Sequence, residues 1–255
     1  MRDLPGARVV YDLAGDGPPV VLIHGWACRR TDFAGVAADL ARDHRVMSID
    51  LPWHGESTAT SPRWTMDDLG ALVDAVVADE RMRGAPMVGH SMGVAVAIEA
   101  VLAGEGQRII GLDGLTFMHM YPRQPPERQQ AILAPYREDF THAVHGLCTR
   151  AAAPDTDPAL TAAIAARMSE MDPDAGVRML AALLDWDMDA ALGRADALGL
   201  DITALAAGAM LAPEVVQAYG HRFEIISVDL GGHFYLLERP AETAALIRGA
   251  LATTG

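Results

Sequence analysis

The chain has 255 residues and a mass of 27.1 kDa, enough for one large α/β domain or a core domain with a sizeable insertion, and its 51% apolar and 21% charged residues are those of an ordinary folded protein. The net charge of −14 excludes a nucleic-acid partner, which would demand clustered cations. All 20 basic residues are arginine, so Schiff-base and Ser-Lys chemistry are excluded as well.

The first residues, MRDLPGARVV, hold no apolar leader, and no apolar run approaches the roughly 20 residues that cross a bilayer. A cytoplasmic protein with no membrane partner is expected. Cys28 and Cys148 are then expected as free thiols.

Short apolar runs bounded by turn residues recur along the chain: ARVVYDL, PPVVLIHG, HRVMSIDLP, APMVGHS, QRIIGLDG, DITALAAG and FEIISVDLGG. Several lack polar alternation, the pattern of strands buried on both faces. Between them the sequence predicts helices over 31–43, 65–82 and 93–106. This alternation predicts an α/β fold with a mostly parallel, doubly wound sheet flanked by helices. The regularity ends near residue 115, where Ala-, Met- and Asp-rich helical sequence runs to 200, broken by YPRQPPE, APDTDP and MDPDAG. That block is too long for a connection, so the expected division is a core of 1–114 and 200–255 with a helical insertion at 115–199. RPAETAALIRGALATTG reads as a closing helix with a polar tail.

The stretch PMVGHSMGVAVAIEA fits G-x-S-x-G as Gly89-His90-Ser91-Met92-Gly93, in the order strand, sharp turn, helix. Glycines on either side let neighbouring backbone approach while the serine takes a strained conformation, and the following helix directs its free N–H groups to the same point. A serine needs a base to act as a nucleophile near neutral pH. His233, in VDLGGHFYLLERP, follows the last predicted strand and so sits at the same edge of the sheet. His90 adjoins Ser91, but successive side chains diverge, so its expected role is support of the turn. His142 and His145 lie at i, i+3 without a carboxylate or cysteine constellation; no metal and no cofactor are expected. For a developing oxyanion, the backbone N–H of Met92 is one donor, and the His24-Gly25 turn in VVLIHGWACRRTDF can aim that of Trp26 inward.

HGW, DLPWHGES, GHSMG and GGHFYLLERPAE, in that order and spacing, resemble the α/β-hydrolase superfamily over almost the whole chain. The resemblance implies that the helical block at 115–199 is a cap over the active site. Trp53 stands where relatives usually have glycine, which implies a stiffer loop that either presents an indole to the pocket or packs it beneath. A second departure is chemical. Relatives usually carry the acid that orients the histidine three positions after the glycine that follows the penultimate strand, and that place here holds Leu211. Asp113, ending the strand in RIIGLDGLTF, is the favoured replacement, since some lipases, dehalogenases and cofactor-independent dioxygenases of the superfamily carry their acid there; Glu214 and Asp229 are the alternatives, while Asp201 falls at the wrong end of its strand.

The function expected is a serine hydrolase of a small ester, lactone or thioester, with Ser91 as nucleophile, His233 as base and Asp113 as the orienting acid. Its partner would be a small apolar or amphipathic substrate, with Met118, Met120, Met168 and Met179 as possible cap lining; the oligomeric state is left open. Two other readings stand beside it. The wording of RIIGLDGLTFMHMYP also resembles the cofactor-independent heteroaromatic dioxygenases, in which histidine and acid deprotonate the substrate; the third reading is a catalytically silent ligand receptor on the same fold.

Overall fold

The computed structural model describes residues 1–116, 123–208, 211 and 213–252. The chain opens with two short antiparallel strands, β1 (Arg2–Leu4) and β2 (Ala7–Val9), and then enters the main sheet as β3 (Tyr11–Ala14). The run ARVVYDL, expected as one strand, is thus divided at Val10. Val10 N–H donates to Ser57 Oγ at 2.8 Å and its carbonyl accepts from Asp50 N–H at 2.9 Å, which turns the chain from one sheet to the other. There follow β4 (Pro19–Ile23), β5 (Arg45–Ile49), β6 (Thr58–Ala59, paired with β2), β7 (Met87–His90), β8 (Arg108–Leu112), β9 (Asp201–Ala207) and β10 (Glu224–Val228). Among the described residues the main sheet has seven strands in the order β10-β9-β8-β7-β4-β5-β3, all neighbours parallel except β3 and β5.

The missing polar alternation has its cause in the layers above and below. Val20 and Leu22 of β4 pack with α1 (Ala34–Leu40) and the chain's closing helix; Val21 and Ile23 pack on the opposite side with α2 (Met66–Asp79) and α3 (Met92–Ala103). The inner strands β4, β5, β7, β8 and β9 therefore bury both faces, while β3 and β10 at the edges stay largely exposed. The helix expected over 31–43 begins as a 3-10 turn at Arg30–Phe33 before α1. Thr65 caps α2: its hydroxyl accepts from Asp68 N–H at 3.1 Å while the Asp68 carboxylate accepts from Thr65 N–H at 2.9 Å, an arrangement that contributes about 0.5–2 kcal/mol.

Between β8 and β9 the described residues form α4 (Pro126–Glu138), α5 (Phe140–Ala151), α6 (Pro158–Met168), α7 (Pro173–Asp185) and α8 (Met188–Leu198). The aspartates that punctuate this block are helix caps: Asp139, Asp157, Asp172 and Asp187 each accept a hydrogen bond from the first turn of the helix that follows, and proline opens α6 and α7. Glu99, buried on α3, ties the helices down, accepting from Trp186 Nε1 at 2.8 Å and from Arg194 Nη2 at 2.7 Å. Beyond β9 come α9 (Pro213–Tyr219), a short α10 (Tyr235–Glu238) that the sequence did not announce, and α11 (Pro240–Ala252), the closing helix. No helix of the described residues is long and apolar enough to cross a membrane.

Candidate active site

The carboxyl ends of β4, β7, β8 and the loop after β10 meet at one point. Ser91 occupies the corner between β7 and α3 at φ 53°, ψ −122°, a left-handed conformation that a non-glycine residue holds only when its surroundings impose it. The surroundings are backbone. A Cβ at Gly89 would stand 2.3 Å from the Gly93 carbonyl oxygen, and one at Gly93 2.2 Å from that of Ile23, so neither position admits a side chain. Ser91 N–H donates to the Leu112 carbonyl at 3.0 Å, which locks the corner to β8.

Asp113 directly follows β8, also at positive φ (46°), and is almost wholly buried. Its Oδ1 accepts from Ala207 N–H at 2.9 Å and its Oδ2 accepts from His233 Nδ1 at 2.6 Å. The imidazole therefore has a fixed tautomer, with Nε2 left as the basic nitrogen. His233 is itself buried, and its N–H donates to the Ala151 carbonyl at the end of α5. The other acids considered lie elsewhere: Asp229 is exposed, Glu214 sits on α9, and Asp201 begins β9, where it accepts from Arg108 Nη2 at 2.5 Å. Leu211 is only partly buried.

Ser91 and His233 line one cavity of about 210 Å³. Among the described residues the serine hydroxyl makes no hydrogen bond. The wall is apolar, built from Trp26, Ile132, Tyr136, Leu147, Leu183 and Phe234. The backbone N–H groups of Trp26 and Met92 donate to no acceptor among the described residues. Met92 belongs to the first turn of α3, whose N–H groups have no intrahelical partner. The Trp26 indole points away from the sheet, donating from Nε1 to the Gly176 carbonyl at 2.8 Å and meeting the Tyr136 and Phe140 rings edge-on at 5.2 and 5.7 Å.

A sequence model of the alpha/beta hydrolase family matches residues 20–246. The chain belongs to the alpha/beta hydrolase family. Among curated relatives, the chain is 38% identical over 96 residues to a pimeloyl-[acyl-carrier protein] methyl ester esterase of Methylococcus capsulatus, a match covering 37% of this chain and 35% of that protein. It is 35% identical over 96 residues to the dihydrolipoyllysine-residue acetyltransferase component of an acetoin cleaving system of Pseudomonas putida, covering 36% of this chain and 26% of that one. The match thus spans only about a quarter to a third of these relatives' own lengths. Of solved structures, an esterase from Exiguobacterium antarcticum superposes with a TM-score of 0.83 at 16% identity, covering 98% of this chain and 97% of that one, a likeness of fold.

Three histidines of this chain stay neutral for want of water. Burial pushes His24 down to about 4, while its Nδ1 donates to the Gly25 carbonyl and its Nε2 accepts from Leu51 N–H. Burial and the neighbouring His24 push His54 down to about 3. His90 is held well below the ordinary range by burial and then by His233; its Nε2 donates to the His233 carbonyl at 3.0 Å. The sequence reading gave His90 to support of the turn, and this bond extends that support to the histidine loop. Trp53 has φ 67°, which accounts for glycine at this place in relatives, and its indole lies under the Arg178 guanidinium, 4.9 Å from the ring centroid, outside the lining of the Ser91 cavity. Of the four methionines, Met168 lines the cavity, Met179 is core, and Met118 and Met120 fall outside the described residues. Cys28 and Cys148 are free and buried. Sequence reasoning missed Arg128 and Arg150, which also line the cavity; arginine on an amphipathic helix carries no signal of what it faces.

Proposed function

We propose that the chain hydrolyses small carboxylic esters, lactones or thioesters through an acyl-enzyme. Ser91 Oγ attacks the carbonyl carbon as His233 Nε2 takes its proton; that proton leaves with the alcohol or thiol, and His233 then deprotonates the water that releases the acid. Asp113 holds the tautomer and stabilises the imidazolium. The N–H groups of Trp26 and Met92 receive the developing oxyanion, an arrangement in which one lost donor typically costs about 10²–10³ in turnover. Residues 115–199 act as the cap that closes the pocket and keeps water from the acyl group.

The observation that carries this reading is the 2.6 Å bond from His233 Nδ1 to Asp113 Oδ2, made by an imidazole that shares its cavity with a serine at positive φ. The name of the esterase relative agrees with it. The test is a fluorophosphonate probe combined with a panel of p-nitrophenyl esters. Labelling that maps to Ser91, turnover of short acyl esters, and loss of both in Ser91→Ala are expected. Labelling of the native protein with no ester turned over would reject hydrolysis and favour a proton-transfer reaction or a ligand receptor.

A further inference from the structure

The protein carries 34 carboxylates against 20 arginines, yet the described lining of the Ser91 cavity contains no carboxylate and two guanidinium groups, Arg128 on α4 and Arg150 on α5. Most arginines of this chain are neutralised. Arg30 reaches Asp12, Asp50 and Glu56; Arg248 reaches Asp39 and Asp43; Arg167, whose helix also borders the cavity, reaches Asp32. Neither Arg128 nor Arg150 makes an ion pair with any described residue, and both are exposed at the rim while the apolar wall lies deeper. The charge of Arg150 reaches into the cavity, where it opposes the upward shift that burial imposes on the Tyr136 hydroxyl.

We propose that Arg128 and Arg150 form a subsite for an anionic oxyacid group, so that the preferred substrate is an ester or thioester whose scissile bond lies at Ser91 and whose far end bears a carboxylate or phosphate. The inference rests on the hydrolase reading above for the word substrate, but not for the anion site itself. Its physical ground is geometric and electrostatic together. A guanidinium presents paired donors that match a carboxylate or phosphate, and a site walled by apolar side chains strengthens such a contact relative to open water. The cavity, about 210 Å³, is smaller than the roughly 300–1,000 Å³ of pockets for drug-sized ligands, so the stem between the reacting carbonyl and the anion is short. In a protein of net charge −14, two such cations at the mouth also give incoming anions a local attraction beside the reacting serine.

Two matched pairs of compounds with short stems test it: mono-p-nitrophenyl glutarate against p-nitrophenyl butyrate for the carboxylate, and p-nitrophenyl 4-phosphonobutyrate against p-nitrophenyl butyrate for the phosphate, with a phosphonate standing in for it. The readout is the ratio of kcat/KM, anionic over neutral, in the native protein and in Arg128→Gln/Arg150→Gln. In at least one pair the ratio is expected to fall about tenfold in the double variant, as for loss of a hydrogen-bonded charge contact, and the pair that responds identifies the group. Equal ratios in the native and variant proteins for both pairs overturn the subsite. A second measurement is independent of catalysis: calorimetric binding of glutarate and of inorganic phosphate to Ser91→Ala, with and without the two arginine changes. Anion binding that the arginine changes abolish supports the subsite even if no ester is turned over, the outcome that would sink the hydrolase reading alone; binding unaffected by them, or absent from Ser91→Ala altogether, overturns it.

Discussion

The imidazole of His90 donates from Nε2 to the carbonyl oxygen of His233 at 3.0 Å, so the residue before the serine holds the backbone of the residue proposed as its base. The rings lie 4.7 Å apart and both are buried. Replacing His90 by phenylalanine keeps an aromatic ring of similar size but removes its hydrogen bond to the His233 carbonyl, which costs about 0.5–1.5 kcal/mol. His90→Phe is therefore expected to lower the denaturation midpoint and to lower kcat more than it raises KM, because the loop that sets the imidazole loses its tether. Denaturant unfolding and steady-state kinetics on one short ester read both effects.

Asp113→Asn separates orientation from charge. The amide can still accept from Ala207 N–H, as Oδ1 does now at 2.9 Å, so folding should change little. An amide nitrogen turned towards His233 would meet Nδ1 as a donor, favour the wrong tautomer and leave an imidazolium unsupported. The loss in kcat should be of the order of 10⁴, the size seen when the acid of a serine protease is so replaced. Near-normal turnover would remove Asp113 from the mechanism.

Stability should fall on mild acidification, and the sign follows from the buried histidines. His24 and His54 are depressed from 6.5 to about 4 and about 3 by burial, and His54 Nε2 has no hydrogen-bond partner among the described residues to receive a proton's charge. Above pH 6.5 both are neutral whether the chain is folded or not, and they add no pH dependence. Below it the unfolded chain binds protons that the folded chain refuses. Each histidine then costs about 1.4 kcal/mol per pH unit, down to its own folded value. Urea unfolding at pH 7, 6 and 5 should show the decline, and His54→Asn, which can still donate to the Pro52 carbonyl, should reduce its slope by about a third, since His24 and the likewise depressed His90 remain.

Much of this site was legible in the sequence because it rests on backbone requirements that few residues satisfy. Gly89, Ser91 and Gly93 announce a corner by composition alone, and His233 follows a strand whose end fixes its side of the sheet. The position of Asp113 was legible for the same reason: the residue that follows β8 must lie at the edge where β7 delivers Ser91. What stayed hidden depends on side chains crossing between distant segments. Nothing in the local sequence tells that Trp26 reaches Gly176, that Glu99 in the most apolar helix secures Trp186 and Arg194, or that Arg128 and Arg150 turn to one cavity. Even the strand break at Val10 is a long-range event, made by Ser57 and Asp50.

Gly93 and Gly25, both beside the serine, should fail in different ways when a methyl group is added. At Gly93 the new Cβ would lie 2.2 Å from the Ile23 carbonyl oxygen and 2.7 Å from that of His24, both backbone atoms of the central strand and its loop. Only separation of α3 from β4 relieves that contact, so Gly93→Ala should lose at least the roughly 1–3 kcal/mol of ordinary overpacking and give little folded protein. At Gly25 the Cβ would meet His90 Nδ1 and Ser91 Cβ, each at 3.0 Å, and the His90 carbonyl oxygen at 3.2 Å, milder contacts that shifts of a few tenths of an ångström can absorb. Gly25→Ala should therefore fold. The shifts it requires fall on the serine and on the loop that carries Trp26 N–H, and turnover should drop by about 10²–10³, the cost of a misplaced oxyanion donor. Thermal denaturation and ester turnover of the two variants together distinguish them: equal losses of stability would show that neither glycine is special to the site, whereas a folded, nearly inactive Gly25→Ala beside an unstable Gly93→Ala is the expected result.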